Sequence, residues 1–329
     1  MKFSRRRASI VIAVTMALGL TACGGSSSDS GATASGSSSG SGGYGYKFAV
    51  VTHGGVGDSF WSIVKAGAQH GGKDEGVSVS YQSDGDPQKQ GQLIDAAVNQ
   101  KVDGLVVSMA NPDALAAPIK RAVAAGIPVI TINSGQSRSS KFGALAHVGQ
   151  DETVAGTAVG QRLKTTGVKK LLCVIQEAGN VGLEQRCAGA EAGLGGTTEN
   201  IQVDNNDLQG AEATIKAKLQ QDPSIDGVLT LGGQVAAVAE TAIAQTGSKA
   251  TLATFDLSAD VAQAVESGKI AFAVDQQPYV QGYLPIVMLT LYKSNGNTLG
   301  GGQPVLTGPS FVTKENAGAI LALARAGTR

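Results

Sequence analysis

The chain has 329 residues, 42% hydrophobic and 4% aromatic, with 26 basic and 26 acidic side chains. Four of the cations, Lys2, Arg5, Arg6 and Arg7, lie in a leader-like segment; without them the acids are four in excess, which excludes a nucleic-acid partner held through its phosphates. The apolar content suffices for a sizeable core, and the roughly 285 residues after the N-terminal segments predict two domains.

Residues 1–22 carry those cations, then an apolar run over 10–20, then small residues. The run is too short for a permanent membrane helix and reads as a signal peptide. Leu20-Thr21-Ala22-Cys23 resembles the lipobox of bacterial lipoproteins, which implies that Cys23 is lipidated and becomes the mature N-terminus. The Gly/Ser-rich stretch that follows makes 23–45 a flexible tether. The expected location is the outer face of the cytoplasmic membrane, reached by export and held by lipid.

The folded part begins with a strand at 46–52 and a helix at 59–76 capped by Ser59. A strand at 77–82, a helix with Leu93, Ile94, Ala97 and Val98 on one face, a strand at 102–108, a helix at 112–126 and a strand at 127–133 follow. The strands are apolar throughout, as in a parallel sheet covered on both faces, and their alternation with helices implies right-handed crossovers. The pattern restarts with a strand at 169–176, helices at 181–193 and 209–221, and a strand at 225–233. Val102-Asp103-Gly104 and Ile225-Asp226-Gly227 read as one piece used twice, each followed by a helix and a strand ending in a polar residue, Asn133 or Asp256. A last strand at 269–274 runs into Asp275, Gln276, Gln277 and Pro278. Ligands of open α/β sheets bind at such carboxyl ends, and Pro278 forces the chain out of the ladder. The fold class expected is therefore α/β, two doubly wound parallel-sheet lobes facing one another across a cleft. Cys173 and Cys187 read, in an exported chain, as a disulfide in preference to a metal site or nucleophile, with two free buried thiols as the alternative.

Asp58-Ser59-Phe60-Trp61, the segment 126–133, Gln185-Arg186, Thr254-Phe255-Asp256 and the segment 274–278 stand in the order and spacing of one family. Over residues 46–329 the chain resembles the periplasmic sugar-binding proteins of ABC transporters, of the ribose- and galactose-binding type, whose fold is shared with LacI-class repressors. The resemblance implies a three-crossing hinge, a first lobe of 46–149 plus 278–307 and a second of 150–277 plus 308–329. It also implies a site. Asp58 would grip hydroxyls, Phe60 and Trp61 would cover the apolar face of a sugar, and Arg186 would hold two neighbouring hydroxyls with its fork of donors. Asp256 and Gln276 match the strand-end carboxylate and hinge glutamine of the ribose-binding pattern. Asn133-Ser134 and Gly232-Gly233 depart from that pattern, which has Asp-Arg and Asn there; Gln234 is positioned to replace the lost amide. His53, Ser108 and Asn111 are further lip residues. Bland readings compete throughout: a helix start for Asp58, core packing for one of the two aromatics, capping or interdomain bonding for Arg186, Asp256 and Gln276.

The expected function is capture of a small neutral sugar or polyol and its delivery to the ABC permease subunits, by a monomer held to the membrane through its lipid; the alternative is a sugar or autoinducer receptor feeding a membrane sensor. A repressor would need a helix-turn-helix where the leader and tether stand. No enzyme is expected, since no nucleophile–base pair is legible, and no cofactor, since Gly55-Val56-Gly57 is only a partial dinucleotide loop. His53, His70 and His147 are too scattered to suggest a metal.

Overall fold

The computed structural model describes residues 43–55 and 57–329. The signal peptide, Cys23 and all but the last residues of the tether lie outside the described residues. The first run of elements is β1 (Lys47–Thr52), α1 (Ser59–Asp74), β2 (Ser78–Ser83), α2 (Pro87–Asn99), β3 (Gly104–Ser108), α3 (Pro112–Ala124), β4 (Val129–Ile132), the single turn α4 (Gln136–Ser139) and β5 (Ala146–Gln150). The second comprises α5 (Glu152–Thr165), β6 (Lys170–Ile175), α6 (Val181–Leu194), β7 (Thr197–Gln202), α7 (Leu208–Gln221), β8 (Gly227–Thr230), α8 (Gly233–Thr246), β9 (Thr251–Phe255), α9 (Ala259–Glu266) and β10 (Phe272–Asp275). Four further elements close the fold: α10 (Pro278–Asn295), β11 (Val305–Gly308), β12 (Ser310–Val312) and α11 (Ala317–Arg325).

These strands build two sheets of the same topology, ordered β11-β5-β4-β3-β1-β2 and β12-β10-β9-β8-β6-β7. Neighbours are parallel throughout, except that β12 runs antiparallel to β10. The chain leaves the first sheet after β5, returns after β10, when α10 packs on α1, and passes across again between β11 and β12. Each sheet is covered on both faces, which explains the unbroken apolar runs. On β1, Phe48 and Val50 enter the core shared with α1 and α10, while Ala49 and Val51 enter the core shared with α2 and α3. On β6, Leu172 and Val174 face α7 and α8, while Leu171, Cys173 and Ile175 face α5 and α6.

The twice-used Asp-Gly piece has a structural task. Asp103 accepts from the Lys47 N–H at 2.9 Å, and Asp226 accepts from the N–H groups of Lys169 and Lys170 at 2.9 and 2.8 Å, so each aspartate ties the start of a neighbouring strand. Its partner glycine is needed for space, because a methyl on Gly104 or Gly227 would press on Phe48 or Val168.

Several details depart from expectation. The first helix is capped by Asp58, whose Oδ1 accepts from Phe60 N at 2.9 Å and Trp61 N at 3.4 Å, and not by Ser59, which is already helical. Strand β7 separates the two helices read as consecutive; it is an edge strand of sequence TTENIQ, exposed along much of its length, so it lacks the apolar run that marks the inner strands. Helix α6, read as the first helix of the second lobe, is preceded by α5. These two pack through glycines: a methyl on Gly156 would collide with the Arg186 carbonyl, and one on Gly160 with that of Ala190.

Within that packing Cys173 of β6 and Cys187 of α6 form a disulfide with Cα atoms 5.9 Å apart, both side chains fully buried. Closing a loop of this length stabilises by about 3 kcal/mol in the chain-entropy account. The double substitution Cys173→Ala/Cys187→Ala should lower the unfolding free energy by about that amount, read from denaturant titration. Thiol titration of the unfolded exported protein should register those two cysteines only after reduction.

Candidate binding site

The carboxyl ends of the two sheets face one cleft, of about 540 Å³ including its mouth. The first sheet's side contributes His53, Asp58, Phe60, Trp61, Asn133 and Ser134, and the second's contributes Gln176, Glu177, Asn180, Arg186, Gly232, Gln234 and Asp256. Gln276, at the crossing after β10, lies between them.

Backbone geometry places two of these residues identically. Asn133 follows β4 and Asp256 follows β9, and both take left-handed conformations, with φ of 61° and 68°. Asn and Asp are the side-chain-bearing residues that adopt this region at least cost. The N–H of Asn133 bonds to Val148 O at 3.1 Å and that of Asp256 to Val274 O at 2.9 Å, each on the next strand of its own sheet. The left-handed turn swings the side chain off the sheet's end. An amide relay then joins the two: Asn133 Nδ2 donates to Gln276 Oε1 at 3.2 Å, and Gln276 Nε2 donates to Asp256 Oδ1 at 2.6 Å. Gln281 also donates to Gln276 Oε1 at 3.1 Å, so the hinge glutamine is held at both ends of its amide.

Arg186 lines the cleft with three of its five N–H donors already engaged. Its Nε and Nη2 donate to the two oxygens of Glu152 at 2.6 and 2.9 Å, Nη1 donates to Leu231 O at 3.3 Å, and the guanidinium lies 4.6 Å over the Phe255 ring. Both partners of the ion pair are buried, with side chains 3% exposed. The bidentate pairing offsets the one Lys or Arg charge that lines the cleft among the described residues, where Glu177 stands with Asp58 and Asp256 as a third carboxyl.

Burial sets the titration of these acids. It raises Asp256 to about 7, against the lowering effect of Arg186 and the Gln276 hydrogen bond. It raises Asp58 to about 6, against the N–H groups of Trp61 and Phe60 and with the charge of Glu177. Glu177 is raised by burial too. His53 is lowered to about 3, by burial first and by Arg186 second, so its imidazole is neutral and its 3.8 Å approach to Glu177 is no ion pair at neutral pH.

The remaining expected residues are distributed unevenly. Phe60 and Trp61 are both buried in the core between β1, α1 and α10, edge to face at 5.0 Å, and both also wall the cleft. Ser108 does not reach the cleft: it lies beneath His53, its Oγ accepting from the His53 N–H at 3.0 Å and lying 2.7 Å from Nδ1. Asn111 caps α3, accepting from Ala114 N at 3.2 Å, and lines an adjoining cavity. Gln234 Nε2 reaches across to Gly57 O at 3.2 Å. Sequence reading passed over Glu152, Gln176, Glu177, Asn180 and Asn205. Gln176 and Glu177 directly follow the apolar strand β6, and the strand-end rule that selected Asp256 selects them as well. Glu152 had no such signal.

Contacts cross the cleft directly. Val181 N donates to Ala110 O at 3.1 Å, and Ser134 Oγ donates to Asn180 Oδ1 at 3.2 Å. Among the described residues no group of His, Cys, Asp and Glu is placed to hold a metal ion, and no helix is long and apolar enough to cross a membrane.

The periplasmic binding protein domain family matches residues 48–297. A carbohydrate transporter from Acidothermus cellulolyticus 11B, solved in complex with myo-inositol, is 45% identical and superposes with a TM-score of 0.85 over 87% of this chain and 100% of that one. The xylose/arabinose-binding protein XylF of Sulfolobus acidocaldarius is 26% identical over 68% of this chain, a match spanning 60% of that protein's length. A solute-binding protein from Burkholderia graminis, solved with D-arabinose, shares the fold at 23% identity and a TM-score of 0.73, over 82% of this chain and 96% of that one.

The raised carboxyls make stability depend on pH. Folded Asp256 keeps its proton to about pH 7 and folded Asp58 to about pH 6, whereas the unfolded chain releases both near 3.8. Between those values these two groups hold more protons in the folded state, so their contribution is greatest at the acid end and is lost as pH rises through 6 to 7, while His53 and His147, lowered by burial to about 3 and 4, contribute in the opposite sense below about 6.5. Asp222, held down to about 2 by its hydrogen bond from Lys170, stays ionised throughout that interval. Without ligand, the Tm difference between the parent and Asp256→Asn should therefore shift in the parent's favour by several degrees from pH 8 to pH 5, on the order of 5 °C. A differential scanning calorimetry series of the two proteins across that range measures it.

Proposed function

The chain belongs to the periplasmic binding protein family, and from that premise we propose that it captures a neutral polyhydroxylated ligand, a monosaccharide or a cyclic polyol such as myo-inositol, and delivers it to an ABC permease. One observation carries the reading: the guanidinium in the cleft is neutralised by Glu152, while Asp58, Glu177 and Asp256 face the same space. An anionic ligand would meet three carboxyls and no uncompensated cation among the described residues. A hydroxylated neutral one suits them, because a hydroxyl donates to a carboxylate and accepts from a carboxylic acid, and Asp58 and Asp256, raised to about 6 and 7, change between the two forms near neutrality. Phe60 and Trp61 supply the apolar wall for a ring's C–H face. The myo-inositol complex of the 45% identical Acidothermus protein supports the same ligand class.

On this reading the lobes, 46–149 with 278–307 and 150–277 with 308–329, hold the ligand from opposite sides. The protein is exported and works as a monomer tethered through Cys23. Replacing Cys23 with serine should move the protein from the membrane fraction to the soluble exported fraction; unchanged membrane retention would count against the anchor.

Asp256 tests the site. Hydrogen bonds to charged groups contribute about 1.5–3 kcal/mol, so Asp256→Ala should weaken binding of the preferred sugar or polyol by at least about tenfold with the fold intact by circular dichroism. Titration calorimetry across a panel that includes myo-inositol, D-ribose, D-xylose, L-arabinose and D-glucose, with inositol phosphate as the anionic control, measures it. Unchanged affinity in the variant, or preference for the phosphate, would falsify the assignment.

A further inference from the structure

A second cavity, of about 1050 Å³ counted to its open mouth, lies against the first and shares five wall residues with it: His53, Gln176, Glu177, Asn180 and Asn205. Both sheets contribute to it. Gly55, Gly85 and Asn111 come from loops of the first, and Ala178, Gly179 and the loop 203–206 from the second. We infer that this outer chamber is a second sugar subsite, so that the cleft takes a glycosylated ligand, with one ring in the inner chamber and a second, uncharged ring in the outer one. The inference rests on the proposed reading of the inner chamber as a sugar or polyol site.

The chemistry of the walls selects the occupant. Among the described residues the outer chamber is lined by no lysine, arginine, tyrosine or tryptophan. It presents the amides of Asn111, Asn205 and Asn206 and the carboxyls of Glu177 and Asp204. A phosphate or carboxylate substituent would meet those acids with no cation to offset them. A flat aromatic substituent would find no ring to stack on beyond the edge of His53. Hydroxyls on a second sugar ring match amides, which donate and accept, and carboxylates, which accept.

The wall between the chambers also carries an unused group. Gln176 is 93% buried by its 7% exposure, and its Oε1 has no hydrogen-bond partner among the described residues. Buried acceptors of this kind are rare because leaving one unpaired costs free energy. A hydroxyl near the linkage between two rings is a fitting donor to it. Space is available on both sides of the mouth: Ala178 is exposed, and a methyl on Gly85 would touch nothing nearer than the His53 carbonyl at 3.6 Å.

Matched pairs test this on the full mature protein. Myo-inositol is compared with α-D-galactosyl-myo-inositol, and D-xylose with xylobiose, by titration calorimetry. In at least one pair the glycosylated member should bind as tightly as its parent or more tightly. Gly85→Phe and Ala178→Trp, which fill the outer chamber and leave the inner one untouched, should each weaken that glycoside by about tenfold while changing the parent's affinity by less than about twofold. Binding of the parent alone, with the glycoside at least tenfold weaker in every pair, overturns the second subsite and leaves the inner-chamber reading standing. Equal loss for parent and glycoside in filling variants of unchanged Tm also overturns it. Failure of every member of both pairs to bind removes the sugar reading and this inference together.

Discussion

The buried pair of Glu152 and Arg186 is the interaction on which the site depends. Two charges taken out of water require close, bidentate geometry to offset the loss of hydration, and here both guanidinium-to-carboxylate bonds are short and the arginine also stacks on Phe255. That geometry demands that α5 and α6 lie unusually close. Glycines on both helices permit the approach, and the disulfide from β6 to α6 ends one residue after Arg186. Local packing thus decides an electrostatic property of the cleft: the cation is paired before any ligand arrives, and burial leaves Asp58 and Asp256 to titrate at about 6 and 7.

A second constraint is the near-symmetry of the two halves. The sheets repeat one strand order, and each ends its third inner strand in a left-handed Asn or Asp. Equivalent turns aim Asn133 and Asp256 from opposite sides toward the same crossing, where Gln276 bonds to both. The hinge is therefore wired to the site. Gln277, itself left-handed at φ 56°, and Thr307 extend that network to the neighbouring crossing strand.

The inner strands, most helices and the strand-end positions of Asn133 and Asp256 were legible because each depends on local pattern: continuous apolar runs, helical spacing and a polar stop. Strand β7 was not, because an edge strand covered on few sides carries no apolar signature. The depth of Ser108 escaped, and the cap of α1 was read at Ser59 although a helix start stood among the readings of Asp58, because a polar residue beside a turn looks the same whether it caps a helix, supports a neighbour or meets a ligand. Phe60 and Trp61 show that core and site are not exclusive, as both residues belong to each.

By itself the amino-acid sequence determined the class of the fold, the duplication and the edge of the sheets where the cleft opens, because hydrophobic period and turn chemistry are properties of neighbours along the chain. Only the tertiary structure decided the electrostatics. Glu152 stands 34 residues before Arg186, in another helix, and nothing in either segment announces that helical glycines will bring them together. Charge compensation in a buried site is a matter of ångströms between distant segments, and the order of residues along a chain does not record that distance.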